Sequence, residues 1–268
     1  MPVDVETRVR ELLETLKMPV AITAMASLPD DPARRVAILE GIEHLLRAEI
    51  SDRRERRIVR RIEAARFADK PTLESFDFAF QTGIDRATVM DMATLNWVDR
   101  REDLVLIGQS GVGKSHIAKA LAMIGCGQER SVRYTTCANM LAALHASLAD
   151  GTLRTLLKTY IHPELLVVDD LGYDPIEQEH AREAQLLYKV LEARHGKVST
   201  IVTSNLPAEK WAEYLGNHYL TVALLDRLLY NGTVLVIEGP SYRLARHKER
   251  AKERATKGKK AEAGAVTD

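Results

Sequence analysis

Residues 108–115 have the types and spacing of a loop that binds phosphate groups. The segment reads GQSGVGKS, in which three glycines precede Lys114 and Ser115. It satisfies the pattern G-x-x-x-x-G-K-[ST], where the glycines let backbone N–H groups surround phosphate oxygens. In that pattern the lysine contacts the β- and γ-phosphates and the serine hydroxyl is a ligand of Mg²⁺. The spacing therefore predicts a site for ATP and Mg²⁺.

Two acidic residues follow an apolar run further along the chain. The segment LLVVDDLG ends its apolar part at Asp169 and Asp170. Carboxylates at the end of a buried strand suit Mg²⁺, which keeps most of its water and takes one or two protein carboxylates. We expect Asp169 on the metal side and Asp170 to orient or deprotonate an attacking water. An isolated Asp pair at a strand end more often forms a turn, but the loop upstream favours the catalytic interpretation.

Two further polar residues are candidates for catalysis. Asn205 lies at the end of the apolar run in STIVTSNLP, where its amide can reach a nucleophilic water or the terminal phosphate. The alternative is an ordinary helix N-cap. Arg227 interrupts the apolar helix LLDRLLYNG and can serve as an arginine finger toward a neighbouring subunit's γ-phosphate. Pairing with Asp226 or another acid is an equally good interpretation of Arg227.

The elements that must position these residues alternate between strands and helices from about residue 85. This order predicts an α/β domain with a mostly parallel sheet flanked by helices. The loop at 108–115 lies between a strand and an amphipathic helix, as its chemistry requires. The predicted strands are Leu104–Ile107, Val132–Thr135, Leu165–Asp169, Thr200–Thr203 and Val234–Ile237.

The rest of the chain divides into three segments of different character. Residues 1–68 have helical periodicity and predict a small all-helical N-terminal domain, with a break near Pro29 before a long helix. Residues 69–84, which include the run FDFAF, are predicted as a linker to the domain at 85–245. Residues 246–268 are basic and low in large apolar residues, and we expect a helix that runs into a disordered tail.

Composition excludes several classes of protein. The 268 residues carry 38 basic and 38 acidic side chains, so net charge alone predicts no polyanionic partner. Cys126 and Cys137 lack the spacing of a zinc site or a disulfide framework. We find neither a signal peptide nor an apolar run of membrane-spanning length, and we expect a cytoplasmic protein without a membrane partner.

The motifs together resemble the IstB-like branch of the AAA+ ATPases, the ATP-binding helpers of insertion-sequence transposases, which are related to the helicase loader DnaC. The resemblance rests on GQSGVGKSH, LLVVDD, TSN, DRL and SYR in this order, and on the segment AARFADKPTLESFDF. It covers nearly the whole chain up to about Arg246. It implies an AAA+ P-loop core and an ATP-dependent homo-oligomer with ATP-bridged interfaces. It also implies double-stranded DNA and a partner transposase as partners.

The resemblance also implies roles for single residues. Asp169 and Asp170 become the Walker B acids, Asn205 becomes sensor 1, and Arg227 becomes the arginine that acts on a neighbouring subunit. Arg243, in SYR, takes a position like that of sensor 2 and joins the nucleotide-binding residues. The other nucleotide-binding residues are Gly108, Gln109, Ser110, Gly111, Val112, Gly113, Lys114, Ser115 and His116.

Two departures from the general AAA+ pattern affect these expectations. Only about thirty residues follow the last predicted strand, which leaves no room for a conventional lid domain. Asp170 stands where a glutamate is usual, which predicts slow hydrolysis or a site completed by DNA or a partner. Three alternatives stay open, namely a helicase loader, a P-loop kinase for a small metabolite, and a DNA-bending protein in which ATP is only structural.

Basic residues cluster near both ends of the chain. The predicted long helix carries arginines whose spacing suits contact with DNA phosphates. A solvated helix face is the alternative, because Glu49 with Arg53 and Asp52 with Arg56 have the i, i+4 spacing of surface ion pairs. The candidate DNA-binding residues are Arg53, Arg54, Arg56, Arg57, Arg60 and Arg61.

Overall fold

The computed structural model describes residues 4–172 and 181–251. These residues form two compact units that divide between Arg60 and Arg61. The division falls within the long helix α3. The helices are α1 (Val5–Thr15), α2 (Pro19–Ala24), α3 (Pro32–Ala65), α4 (Arg86–Ala93), α5 (Asn96–Asp99), α6 (Lys114–Gly127), α7 (Cys137–Ala149), α8 (Leu153–Ile161), α9 (Ala181–Arg194), α10 (Trp211–Leu215) and α11 (His218–Tyr230).

The second unit contains one parallel sheet, as the sequence predicts. Its strand order is β2-β3-β4-β1-β5, and each neighbouring pair is parallel. All five predicted strands are present, with ends that differ by up to two residues. The strands are β1 (Asp103–Gly108), β2 (Val132–Thr136), β3 (Leu165–Leu171), β4 (Ser199–Ser204) and β5 (Gly232–Ile237).

Helices cover both faces of the sheet and explain its apolar strands. One core contains Leu104, Leu106 and Val167 together with apolar residues of α6. The other contains Val105, Leu166 and Val168 with residues of α7, α9 and α11. Strands β1, β3 and β4 are buried on both faces, which is why their sequences are continuous apolar runs rather than alternating ones. Their carboxyl ends meet at one edge, where the polar candidates lie.

The first unit is a small helical bundle. Its core consists of Val5, Val9, Leu13, Met25 and Leu39, so the periodicity seen in the sequence marks a buried face. Arg8 of α1 pairs with Glu43 of α3 at 2.9 Å. The short helix α2 was not expected from the sequence. It starts with Pro19 at its first position, where a missing N–H costs no helical hydrogen bond.

The segment predicted as a linker belongs to the second unit. Leu73 and Ile84 are buried in its core, and Phe76 and Phe78 pack against that core. The sequence interpretation underestimated this segment because its apolar residues have neither helical nor strand periodicity. After β5, residues 242–251 are helical, in agreement with the expected basic helix. The disordered tail predicted beyond them lies outside the described residues. Among the described helices, none is both long and apolar enough to cross a membrane.

Candidate functional site

The phosphate-binding loop connects β1 to α6 in the geometry that its sequence predicts. Gly111 and Gly113 have φ angles of 85° and 104°, a backbone region that other residues rarely adopt. A Cβ atom on Gly113 would also lie 2.4 Å from Cε2 of Phe76. Glycine is therefore required at this position for both conformation and space. The loop ends at the N-terminus of α6, where the free N–H groups and the helix dipole attract anions.

Lys114 is held at the mouth of the loop. Its Nζ donates to the carbonyl oxygens of Gly108 at 2.7 Å and Gln109 at 2.9 Å. Only 5% of the residue is exposed, and burial lowers the pKa of its ammonium group. The nearby Asp170 and Asp169 oppose that shift. The loop thus holds a cation whose present partners are neutral carbonyls, so a phosphate oxygen would be a stronger partner.

Asp169 is buried near the end of β3, with both carboxylate oxygens hydrogen-bonded. Tyr134 donates to its Oδ2 at 2.7 Å, and Thr203 donates to its Oδ1 at 2.5 Å. Asp169 is 1% exposed. Its orientation is therefore fixed by strands on both sides of β3. Neither Tyr134 nor Thr203 was identified from the sequence, because the contacts depend on which strands become neighbours.

Asp170, unlike Asp169, lines the cavity in front of the loop. Its φ is 59°, and its backbone N–H donates to Thr203 Oγ1 at 2.9 Å. Burial and the neighbouring Asp169 raise the pKa of its carboxyl group. A carboxylate with a raised pKa is a better proton acceptor than an ordinary aspartate.

Asn205 also lines the cavity and carries an unused acceptor. Its Oδ1 is buried and has no hydrogen-bond partner among the described residues. Buried acceptors normally have a partner, since leaving one unpaired costs free energy. An N-cap residue would use this oxygen to accept from a backbone N–H. The geometry thus favours a role toward a ligand or a water over the N-cap alternative.

Two segments cover the loop from above. Gln81 Nε2 donates to the carbonyl oxygen of Val112 at 3.0 Å. From the other side, the backbone N–H of Tyr242 donates to the carbonyl oxygen of Gly111 at 3.0 Å. The rings of Phe80 and Tyr242 meet edge to face with centroids 5.3 Å apart. The aromatic run FDFAF was a sequence signal for this cover, but its contact with residue 242 could not be foreseen.

His116 of α6 contacts the covering segment that contains Thr72 and Ser75. Its Nε2 lies 2.8 Å from the carbonyl oxygen of Thr72 and 3.3 Å from the hydroxyl of Ser75. Its ring meets that of Phe76 nearly at a right angle. Besides lining the cavity, His116 thus fixes the covering segment against the loop.

The loop, Asp170 and the two covering segments surround a cavity of about 440 Å³, a size typical of small-molecule sites. It brings together predicted residues that are far apart in sequence. Gly108, Gln109 and Asp169 do not line the cavity, although the first two accept hydrogen bonds from Lys114, which does. The predicted residues that line it are Ser110, Gly111, Val112, Gly113, Lys114, Ser115, His116, Asp170, Asn205 and Arg243.

Arg227 lies outside this cavity. Its guanidinium donates to Glu192 at 2.6 Å and to Asp226 at 2.7 Å. Within one chain, Arg227 therefore pairs with acids, as one of the two interpretations predicts. The action of Arg227 on a neighbouring subunit stays a prediction.

The predicted DNA-binding arginines lie on α3. Five of the six are exposed, whereas Arg61 is half-buried. Arg53 pairs with Glu49 at 2.6 Å and Arg56 pairs with Asp52, the ion pairs that the i, i+4 spacing indicates. The exposed arginines Arg53, Arg56, Arg57 and Arg60 line a shallow basic groove with Glu49.

In comparisons with known proteins, the matching family model and the similar proteins are all described as ATP-binding proteins. Residues 11–251 match the family model described as IstB-like ATP binding protein. The "Insertion sequence IS21 putative ATP-binding protein" of Pseudomonas aeruginosa is 36% identical over 234 residues, 87% of each chain. A correspondingly named IS232 protein of Bacillus thuringiensis subsp. berliner is 31% identical, covering 79% of this chain and 84% of its own.

Solved structures show the same fold at low sequence identity. AMPPCP-bound DnaA from Aquifex aeolicus aligns with a TM-score of 0.52 and 19% identity, over 70% of this chain and 57% of that one. The structure of DnaI aligns with a TM-score of 0.51 and 21% identity, over 65% of this chain and 93% of that one. These likenesses support an AAA+ P-loop fold.

Proposed function

The chain belongs to the family of IstB-like ATP-binding proteins, and on that premise we propose that it is a DNA-dependent ATPase that assists a partner transposase. The observation that carries the proposal is the cavity shared by the phosphate-binding loop, Asp170 and Asn205. A site that only held ATP would need the loop but not an acid and an unpaired amide oxygen beside it. We therefore assign hydrolysis as well as binding.

In the proposed reaction, Asp170 and Asn205 act from the positions that the structure gives them, whereas Lys114 changes its partners. Lys114 turns from the carbonyl oxygens of Gly108 and Gln109 toward the β- and γ-phosphates. Asp170 orients or deprotonates the attacking water, and Asn205 Oδ1 accepts a hydrogen bond from it. The raised pKa of Asp170 makes that carboxylate suitable as a base.

The residues beside the loop fit Mg²⁺, which would neutralise charge on the phosphates. Ser115 and Asp169 would hold it, because hydroxyl and carboxylate oxygens are ligands that this ion prefers. No group of three metal-ligating His, Cys, Asp or Glu side chains occurs within residues 4–172 and 181–251. Phosphate oxygens and water would supply the remaining ligands, which is the usual arrangement for magnesium bound with ATP.

The proposed assembly is a homo-oligomer with ATP between subunits. Arg227 would leave Glu192 and Asp226 and stabilise charge on a neighbour's γ-phosphate. Both acids are largely exposed, so their pairs with Arg227 contribute little and can be exchanged at small cost. Arg243 lines the cavity and would contact the phosphates from within the same subunit.

The proposed DNA surface is the basic groove of α3. Arg53 to Arg60 span about 10 Å along the helix, enough to contact successive phosphates. Contacts of this kind do not depend on base sequence. The names of the relatives link them to insertion sequences, which favours transposition over helicase loading for this chain.

Replacing Arg53, Arg56 and Arg60 together by alanine tests the DNA surface. We expect weaker binding to double-stranded DNA and a plot of log affinity against log salt concentration that is shallower by about 3 units, because three phosphate contacts are lost. Fluorescence anisotropy at several salt concentrations measures both quantities. ATP affinity should not change, since none of the three lines the cavity.

The control replaces three exposed arginines elsewhere, Arg10, Arg34 and Arg154. This variant has the same charge change and should retain most of the wild-type DNA affinity. Equal loss of affinity in the two variants would show that only net charge matters and would contradict the α3 surface.

A further inference from the structure

Tyr134 connects the end of α3 to the predicted metal-side carboxylate. It lies on β2, and its hydroxyl donates to Asp169 Oδ2 at 2.7 Å. The residue is half-buried and its ring packs against the core on the α6 side of the sheet. The hydroxyl thus approaches Asp169 from a strand none of whose residues lines the cavity.

The second carboxylate oxygen of Asp169, Oδ1, also accepts a hydrogen bond from a hydroxyl group. Thr203 Oγ1 accepts from the backbone N–H of Asp170 at 2.9 Å, which directs its own hydrogen to Asp169 Oδ1 at 2.5 Å. Each carboxylate oxygen therefore accepts one protein hydrogen bond and keeps further lone pairs for a metal ion or its water. The two hydroxyls together determine the plane of the carboxylate.

The ring of Tyr134 contacts Phe67, which follows α3, and Lys119 of α6. Phe67 lies beside it with ring centroids 5.8 Å apart. Lys119 Nζ lies 5.1 Å from the ring centroid and is paired with Asp69 at 2.5 Å. Aromatic packing and a cation over the ring face both restrict how the ring can move. The segment after the arginine-rich helix is therefore in contact with the support of Asp169.

We propose that Tyr134 is a positioning residue that orients Asp169 toward the metal–nucleotide complex, and that Phe67 and Lys119 hold it in place. The inference deepens the proposed function, because it rests on Asp169 as the metal-side carboxylate. The segment at residues 67–69 is thus linked to Asp169 through Lys119 and Tyr134, by contacts that do not involve the phosphate-binding loop.

Removal of the hydroxyl should affect the metal more than the nucleotide. In Tyr134→Phe, Asp169 Oδ2 has no donor and the carboxylate can rotate away from its bound orientation. The loop residues that hold the phosphates are not changed. Groups that orient a metal ligand typically contribute one to two powers of ten in metal affinity.

The test is Mn²⁺ binding in the presence of a non-hydrolysable ATP analogue, followed by electron paramagnetic resonance. We expect Tyr134→Phe to weaken Mn²⁺ binding about tenfold, with unchanged affinity for the analogue when metal is absent. Tyr188→Phe is the matched control, since that half-buried tyrosine also bonds a carboxylate, Glu192 at 3.3 Å, away from the cavity. Its Mn²⁺ affinity should equal that of wild type.

Two further variants keep the test decisive should Tyr134→Phe fold poorly. Thr203→Val removes the other donor and should weaken Mn²⁺ similarly, whereas Thr203→Ser should retain it. Phe67→Leu keeps the hydroxyl but loosens the ring and should give a smaller loss. Wild-type Mn²⁺ affinity in Tyr134→Phe, or in Thr203→Val and Phe67→Leu together, would overturn the inference. Because the readout does not need turnover, a wild-type protein that binds Mn²⁺ but hydrolyses no ATP would refute the proposed ATPase separately.

Discussion

Asp170 combines a rare backbone conformation with a position on the cavity. Its φ of 59° is left-handed, a region that asparagine and aspartate enter more readily than most other residues. This conformation follows directly after Asp169 and turns two adjacent acids in different directions. One is buried among hydroxyl donors and the other faces the space in front of Lys114.

Asp170→Asn should separate hydrolysis from binding. Asparagine tolerates the same backbone conformation, and its side chain has similar size, so the fold is retained. It cannot accept a proton from water, and we expect turnover to fall at least about a hundredfold, the typical contribution of a general base. Affinity for ATP should stay within about threefold of wild type. The variant lacks a negative charge near the phosphates, and the repulsion that is removed offsets any contact that the carboxylate makes with the bound nucleotide.

Lys114→Ala is the contrasting control for that experiment. It removes the cation of the loop and should abolish tight binding of a fluorescent ATP analogue. Asp170→Asn with wild-type turnover would exclude Asp170 as the base.

At the scale of elements, the junction of β1, β4 and α9 depends on two buried charged residues. Asp103 at the start of β1 accepts from the backbone N–H of Thr200 at 2.7 Å. Arg194 at the end of α9 donates to the carbonyl oxygens of Tyr160 and Pro163 at 2.8 and 2.9 Å. Burial raises the pKa of Asp103 to about 6 and lowers the pKa of Arg194. Asp103 is therefore ionised at neutral pH at a cost in stability.

Asp103→Asn should change how stability depends on pH. Between about pH 4 and 6 the folded protein binds a proton at Asp103 that the unfolded chain does not, so wild-type stability falls as pH rises through this range. The asparagine amide of the variant has no such titration. We expect the unfolding free energy of the variant, relative to wild type, to increase by at most about 3 kcal/mol from pH 4 to 7. Urea unfolding at several pH values measures this difference.

The exposed Asp91 supplies the comparison for this experiment. Asp91→Asn makes the same change of side chain at the surface and shows what loss of a carboxyl does without burial. A curve of stability against pH for Asp103→Asn that runs parallel to wild type would show that Asp103 does not carry the shifted pKa.

The sequence predicted the strands and the loop because each depends on residues close together in the chain. Continuous apolar runs such as 165–168 indicate buried strands, and the loop pattern brings its own geometry. Contacts between distant segments were not predictable in the same way. Tyr134 and Thr203 reach Asp169 only because β2 and β4 both neighbour β3, and Phe80 meets Tyr242 across 162 positions of sequence.

At the scale of the whole molecule, the two proposed activities belong to different units. The exposed arginines 53 to 60 lie in the first unit, whereas the nucleotide cavity lies in the second. The helix α3 contributes residues to both. The proposed function predicts that DNA bound by the first unit raises the rate of ATP hydrolysis in the second, and ATP that is only a permanent structural ligand would not respond in this way.

Steady-state ATP turnover by the full chain at increasing concentrations of double-stranded DNA tests the proposed DNA-dependent ATPase directly. We expect slow turnover without DNA and a saturable increase of at least about fivefold with DNA, a change of roughly 1 kcal/mol in the activation barrier. Turnover that stays constant across DNA concentrations at which anisotropy shows the DNA to be bound would contradict the proposal.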